Sequence, residues 1–75
     1  MDAKKTGRLI SELRTEKGLT QKELASKLQV TDKAISRWET GKGYPEATIM
    51  QALSELLVIS VDELLSGERK QPDLS

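Results

Sequence analysis

An all-α chain of five short helices is the fold class this sequence predicts, and three observations carry it. Apolar residues recur at helical spacing almost throughout, with no sustained alternation of the kind a half-buried strand shows. The pattern Ser/Thr-x-x-Glu occurs at Thr20–Glu23 and again at Ser60–Glu63, where a hydroxyl and a carboxylate can satisfy orphan backbone amides reciprocally at a helix start. Gly18, Gly41 and Gly67 stand where the periodic segments stop.

The first helix is expected over about 6–17, with Leu9, Ile10, Leu13 and Arg14 on one face. The second opens at Thr20 and buries Leu24, Ala25 and Leu28, and Gln29-Val30 then leave a very short turn. Thr31 is the expected N-cap of the third helix, with Asp32 at the positive end of its dipole and only Ala34, Ile35 and Trp38 turned inward. That helix runs to about Thr40, and the loop Gly41-Lys42-Gly43-Tyr44-Pro45 leads to a fourth over about 46–57. There Met50, Leu53 and Leu57 form a core stripe, and Ile49 and Leu56 are apolar extras assigned to the core rather than to a dimer patch. The fifth helix starts at Ser60 and ends at Gly67. Residues 1–67 therefore read as one domain, and 68–75 as a flexible tail or the start of a linker.

Composition narrows the function. A chain of 75 residues buries only about 60% of the surface its unfolded form exposes, so the core must be economical. There is no cysteine and no histidine, which removes disulfides, thiolate zinc sites and the usual general base. No enzymatic activity, no cofactor and no metal are expected. No apolar run approaches the ~18 residues of a membrane span and the first residues are polar, so a cytoplasmic protein without membrane contact is expected. Net charge is zero, yet residues 1 to 44 hold ten basic and six acidic side chains, net +4, and residues 45 to 75 hold two and six, net −4. A positive half facing a polyanion fits that asymmetry, because fields act locally within a Debye length of about 8 to 10 Å. Chance segregation on a solvated surface fits it equally well.

Two short helices joined by a tight turn, the second with few large apolar residues, have the form of a helix-turn-helix. The segments LTQKELASKLQVTDKAISRWETGKGYP (Leu19–Pro45) and LSELLVISVDELLSG (Leu53–Gly67) resemble the Cro/CI-repressor type of helix-turn-helix domain, the Xre family of bacterial and phage regulators. The resemblance covers roughly Thr6 to Gly67. It rests on a coincidence of features: Thr-Gln opening the second helix, Leu-Ala inside it, Ile35 in the third, Glu-x-Gly closing it, and Val-Asp-Glu-Leu-Leu in the fifth. It implies a compact five-helix, lambda-repressor-like DNA-binding domain with the motif in helices 2 and 3.

The major groove, about 12 Å wide, admits one α-helix and rewards polar side chains with reach near its N-terminus. Lys33, Ser36 and Arg37 share the outward face of the third helix, and Asp32 precedes them. Arg37 can bond guanine bidentately, Lys33 less rigidly, and Asp32 can accept from a cytosine amine; the resemblance places all four near base edges. An ordinary solvated helix face is the bland alternative. Phosphate contacts are expected from Gln21, Thr31, Lys42 and Tyr44, although Gln21 and Thr31 also serve as helix-start residues and the Tyr44 ring equally suits a core cap. Trp38 is assigned to the core. From the resemblance, Arg14 and Glu39 are expected to pair as a clamp between the first and third helices. One departure stands out: Val58 occupies a position where the family usually has glycine, and a β-branched residue suits a left-handed cap poorly, so a different end to the fourth helix is expected.

The function implied is a sequence-specific double-stranded DNA-binding transcriptional regulator of the repressor kind, working as a homodimer on a palindromic operator. A helical protein-interaction module, such as an antitoxin or adaptor with secondary DNA binding, is the competing class, and the zero net charge keeps it open. Gly41-Lys42-Gly43 superficially suggests a phosphate loop, but the glycine spacing, the following hydroxyl and the preceding strand are missing.

Overall fold

The computed structural model describes residues 2–69. It contains α1 (Ala3–Glu16), α2 (Gln21–Leu28), α3 (Asp32–Glu39), α4 (Ala47–Leu57) and α5 (Val61–Ser66), and no strand among the described residues. Every start but that of α4, where Glu46 makes no side-chain cap bond, is set by a side-chain cap. Thr20 and Ser60 form the two capping boxes, with Glu23 and Glu63 bonding back to the N-cap amides. Asp2 accepts from the Lys4 amide at 2.9 Å, so α1 begins at Ala3, three residues before the expected start.

The core joins all five helices. Leu9, Ile10 and Leu13 of α1 meet Leu24, Ala25 and Leu28 of α2, Ile35 and Trp38 of α3, Met50, Leu53 and Leu57 of α4, and Leu64 of α5. Trp38 is thus a core residue, and Ile49 and Leu56 pack against the same cluster half-buried. Thr6 and Ser54 are the buried polar residues among those described, and Thr6 is the more deeply buried. Its hydroxyl donates to the Leu64 carbonyl at 2.6 Å, which fastens the short α5 to α1.

The end of α4 overturns an expectation. Val58 does adopt the left-handed conformation, φ 57° and ψ 56°, with its side chain 78% exposed. The Ile59 amide bonds the Ser54 carbonyl at 2.9 Å and the Ile59 side chain packs against the core, so closure of the cap outweighs the strain at Val58. Beyond α5, Glu68 pairs with Lys5 at 3.0 Å and Arg69 with Glu16 at 2.5 Å, both at the surface. Most of the tail expected over 68–75, from Lys70 onward, lies outside the described residues. No helix among the described residues is long and apolar enough to cross a membrane, and no grouping of acidic side chains there could hold a metal ion.

Candidate nucleic-acid interface

The unit α2–turn–α3 is built from local rules. The turn is Gln29-Val30-Thr31, in which Gln29 takes the left-handed conformation (φ 59°) and the Val30 amide reaches back to the Ala25 carbonyl at 3.0 Å. Thr31 then starts α3, its hydroxyl oxygen accepting from the Ala34 amide at 3.1 Å. Only Ile35 and Trp38 of α3 are buried. With two anchors on eight residues, most of the helix surface is left outside.

Asp32, Lys33 and Arg37 are exposed and Ser36 is half-buried. Helical spacing puts Lys33, Ser36 and Arg37 on one face, with Asp32 at the N-terminus of the same helix. Neither Asp32 nor Lys33 forms an ion pair among the described residues. Arg37 is placed differently. Its Nη2 donates to the Lys42 carbonyl at 3.4 Å, and the Lys42 amide donates to the Arg37 carbonyl at 2.9 Å, so Arg37 latches the loop that follows α3.

Of the residues expected to hold phosphates, Lys42 is exposed in that latched loop, and Thr31 is exposed at the start of α3. Gln21 is half-buried at the first position of α2, and its side-chain amide donates to Glu39 Oε1 at 2.9 Å. Tyr44 takes the core-capping role, the second of the two expected of it. Its ring packs against the core and its hydroxyl is buried without a hydrogen-bond partner, so the Oη is not presented to a phosphate in this conformation.

Arg14 and Glu39 face each other across α1 and α3. Arg14 Nε lies 2.6 Å from Glu39 Oε2 and Nη2 lies 3.2 Å from Oε1, a bidentate pair whose side chains are 16% and 6% exposed. Arg14 Nη1 also donates to the Leu19 carbonyl at 2.7 Å. The hydrogen bond that Arg14 donates to Glu39 raises the guanidinium pKa above its usual value against the opposing effect of burial, and the charge of Glu39 acts in the same direction as the bond. The bonds from Arg14 to Leu19 and from Gln21 to Glu39 are not legible in the sequence, because they depend on how the turn 17–20 folds α2 back. The basic excess sits on α1, α2, Lys17 and Lys42, while α3 is neutral, with Lys33 and Arg37 balanced by Asp32 and Glu39, and α4 and α5 carry no lysine or arginine.

Residues 10–64 match the family model described as helix-turn-helix. The HTH-type transcriptional activator BcrR of Enterococcus faecalis is 49% identical over 59 residues, 79% of this chain but 29% of that protein, so the chain spans less than a third of that relative. Among solved structures, the DNA-binding domain of the P22 c2 repressor has a TM-score of 0.79 at 32% identity, covering 97% of this chain and 96% of that one. The restriction-modification controller protein C.AhdI of Aeromonas hydrophila has a TM-score of 0.74 at 31% identity, covering 83% of this chain and 94% of that one.

Proposed function

Because this chain belongs to the helix-turn-helix family, in its Cro/CI-repressor (Xre) form, we propose that it binds double-stranded DNA sequence-specifically and regulates transcription. The observation that carries this reading is α3, held by Ile35, Trp38 and the Arg14–Glu39 pair while Asp32, Lys33 and Arg37 stand exposed on it. In the major groove Arg37 and Lys33 would read guanine, Asp32 a cytosine amine, and Ser36 an adjoining edge. Gln21, Thr31 and Lys42 would hold the phosphates that set register. The acidic, lysine-free and arginine-free α4 and α5 would face away from the polyanion.

Two copies would bind a palindromic operator with their α3 helices about 34 Å apart, one DNA turn, meeting through α5 and the end of α4. Occlusion of a promoter requires nothing beyond the interface itself, so repression is the activity this domain supports by itself. Selection of bound sequences from a random duplex pool, repeated at two salt concentrations, tests the reading. A palindromic consensus with steep salt dependence is expected. Retention of no sequence over the starting pool overturns it.

A further inference from the structure

We infer that Glu39 is the positioning residue that orients Gln21 for the DNA backbone, so that one buried carboxylate registers the start of α2 against the reading helix α3. The inference rests on the DNA-binding reading above. Glu39 Oε2 accepts from Arg14 Nε at 2.6 Å, and Oε1 accepts both from Arg14 Nη2 at 3.2 Å and from Gln21 Nε2 at 2.9 Å. The same arginine holds the Leu19 carbonyl at 2.7 Å. Leu19 and Gln21 flank the N-cap Thr20, so both sides of the helix start are tied to a single ion pair.

A glutamine at a helix start ordinarily samples several rotamers, and freezing one of them on binding lowers affinity. Here the amide is already bonded to Glu39. A side-chain amide carries two N–H groups; one is engaged by Glu39, and the second is left for a phosphate oxygen. Because glutamine is neutral, its contact adds affinity without adding a released counterion.

The test is a double-mutant cycle read as DNA affinity on selected and random duplexes across a salt series, with thermal melting of every variant. Gln21→Ala is expected to weaken both duplexes about tenfold with an unchanged salt slope. In a Glu39→Gln background, where an amide replaces one of the two acceptor oxygens, the same change is expected to cost about twofold or less. A Glu39 that serves stability alone lowers the melting temperature but leaves the cost of Gln21→Ala the same in both backgrounds, and that result overturns the inference. Should Glu39→Gln not fold, side-chain amide NMR of the DNA-free wild type decides. A single ordered Gln21 rotamer supports the inference and rotamer averaging overturns it. A wild type that binds no duplex overturns the DNA-binding reading and this inference with it, whereas equal costs in the two backgrounds overturn the inference alone.

Discussion

Gly7 of α1 lies so close to Trp38 of α3 that a Cβ added to it would sit 2.1 Å from the Trp38 carbonyl oxygen and 2.9 Å from the Glu39 carbonyl carbon. Neither atom can give way, since both belong to the backbone of the last turn of α3. The approach lets α1 and α3 touch along their backbones about two helical turns before Arg14, and it determines how far α3 stands out from the core.

Gly7→Ala is therefore expected to cost at or above the upper end of the ~1 to 3 kcal/mol typical of overpacking, out of a total stability of only about 4 to 11 kcal/mol for a domain of this size. Gly18→Ala is the control. Gly18 has φ +70° with nothing within 4 Å of an added Cβ, so only the left-handed strain of about 1 to 2 kcal/mol applies. Chemical denaturation should rank the two variants in that order, and equal losses would contradict the close approach.

Val58 offers the opposite effect. It carries left-handed strain and, at 78% exposure, loses almost no burial when replaced. Val58→Asn should stabilise by about 0.5 to 1 kcal/mol, and Val58→Gly by somewhat less, because glycine also loosens the unfolded chain. For a domain of this length that is a rise of a few degrees in Tm, about 4 to 8 °C per kcal/mol. A drop in Tm for both would mean that the exposed valine is held by something other than its own cap.

Most of the fold was legible in the sequence because it is written in local code: two capping boxes, helix-stopping glycines and a 3.6-residue apolar period locate α2 to α5 within a residue or so. The misses have two sources. The Asp2 cap is itself local, on the Lys4 and Lys5 amides, but lies before the expected helix start, whereas the left-handed Val58 is decided by closure of its turn and the Gly7 approach by a partner distant in sequence. In the candidate interface, the exposure of Asp32, Lys33 and Arg37 follows from periodicity alone. The bond from Gln21 to Glu39, 18 residues apart, and the latch of Arg37 on the Lys42 carbonyl do not.

Acid should weaken the start of α2. The Thr20 amide and hydroxyl hold the Glu23 carboxyl below the usual glutamate range. A depressed folded-state value means stability present above the unfolded value and lost as pH falls through the folded one. The raised value of Arg14 has the opposite sign, so its contribution persists at every pH below the arginine range. Glu23→Gln should therefore narrow the gap in Tm between about pH 7 and about pH 3 relative to wild type. An unchanged gap would show that the capping box does not contribute to the acid response.

Base reading and backbone attraction should fail differently when their residues are removed. Arg37, on the outward face of α3, can satisfy two guanine acceptors with its planar guanidinium, whereas Lys42 sits in a loop as a point charge. Arg37→Ala is expected to cost ~1 to 3 kcal/mol on the preferred duplex and to flatten base preference at one position per half-site. Lys42→Ala is expected to weaken all sequences alike and to lower the salt slope by about one unit. Because Arg37 also bonds the Lys42 carbonyl, its loss frees the loop as well, and Arg37→Lys separates the two effects: it keeps the charge but loses the bidentate fork. That variant should hold the salt slope while losing most of the discrimination. Asp32 gives the comparison a sign, since a carboxylate near the groove repels phosphate unless a cytosine amine receives it. Asp32→Asn should raise affinity for random DNA while blurring specificity. Equal losses on operator and random duplex for Arg37→Ala would remove α3 as the reading element and leave only a basic surface that attracts DNA without regard to sequence.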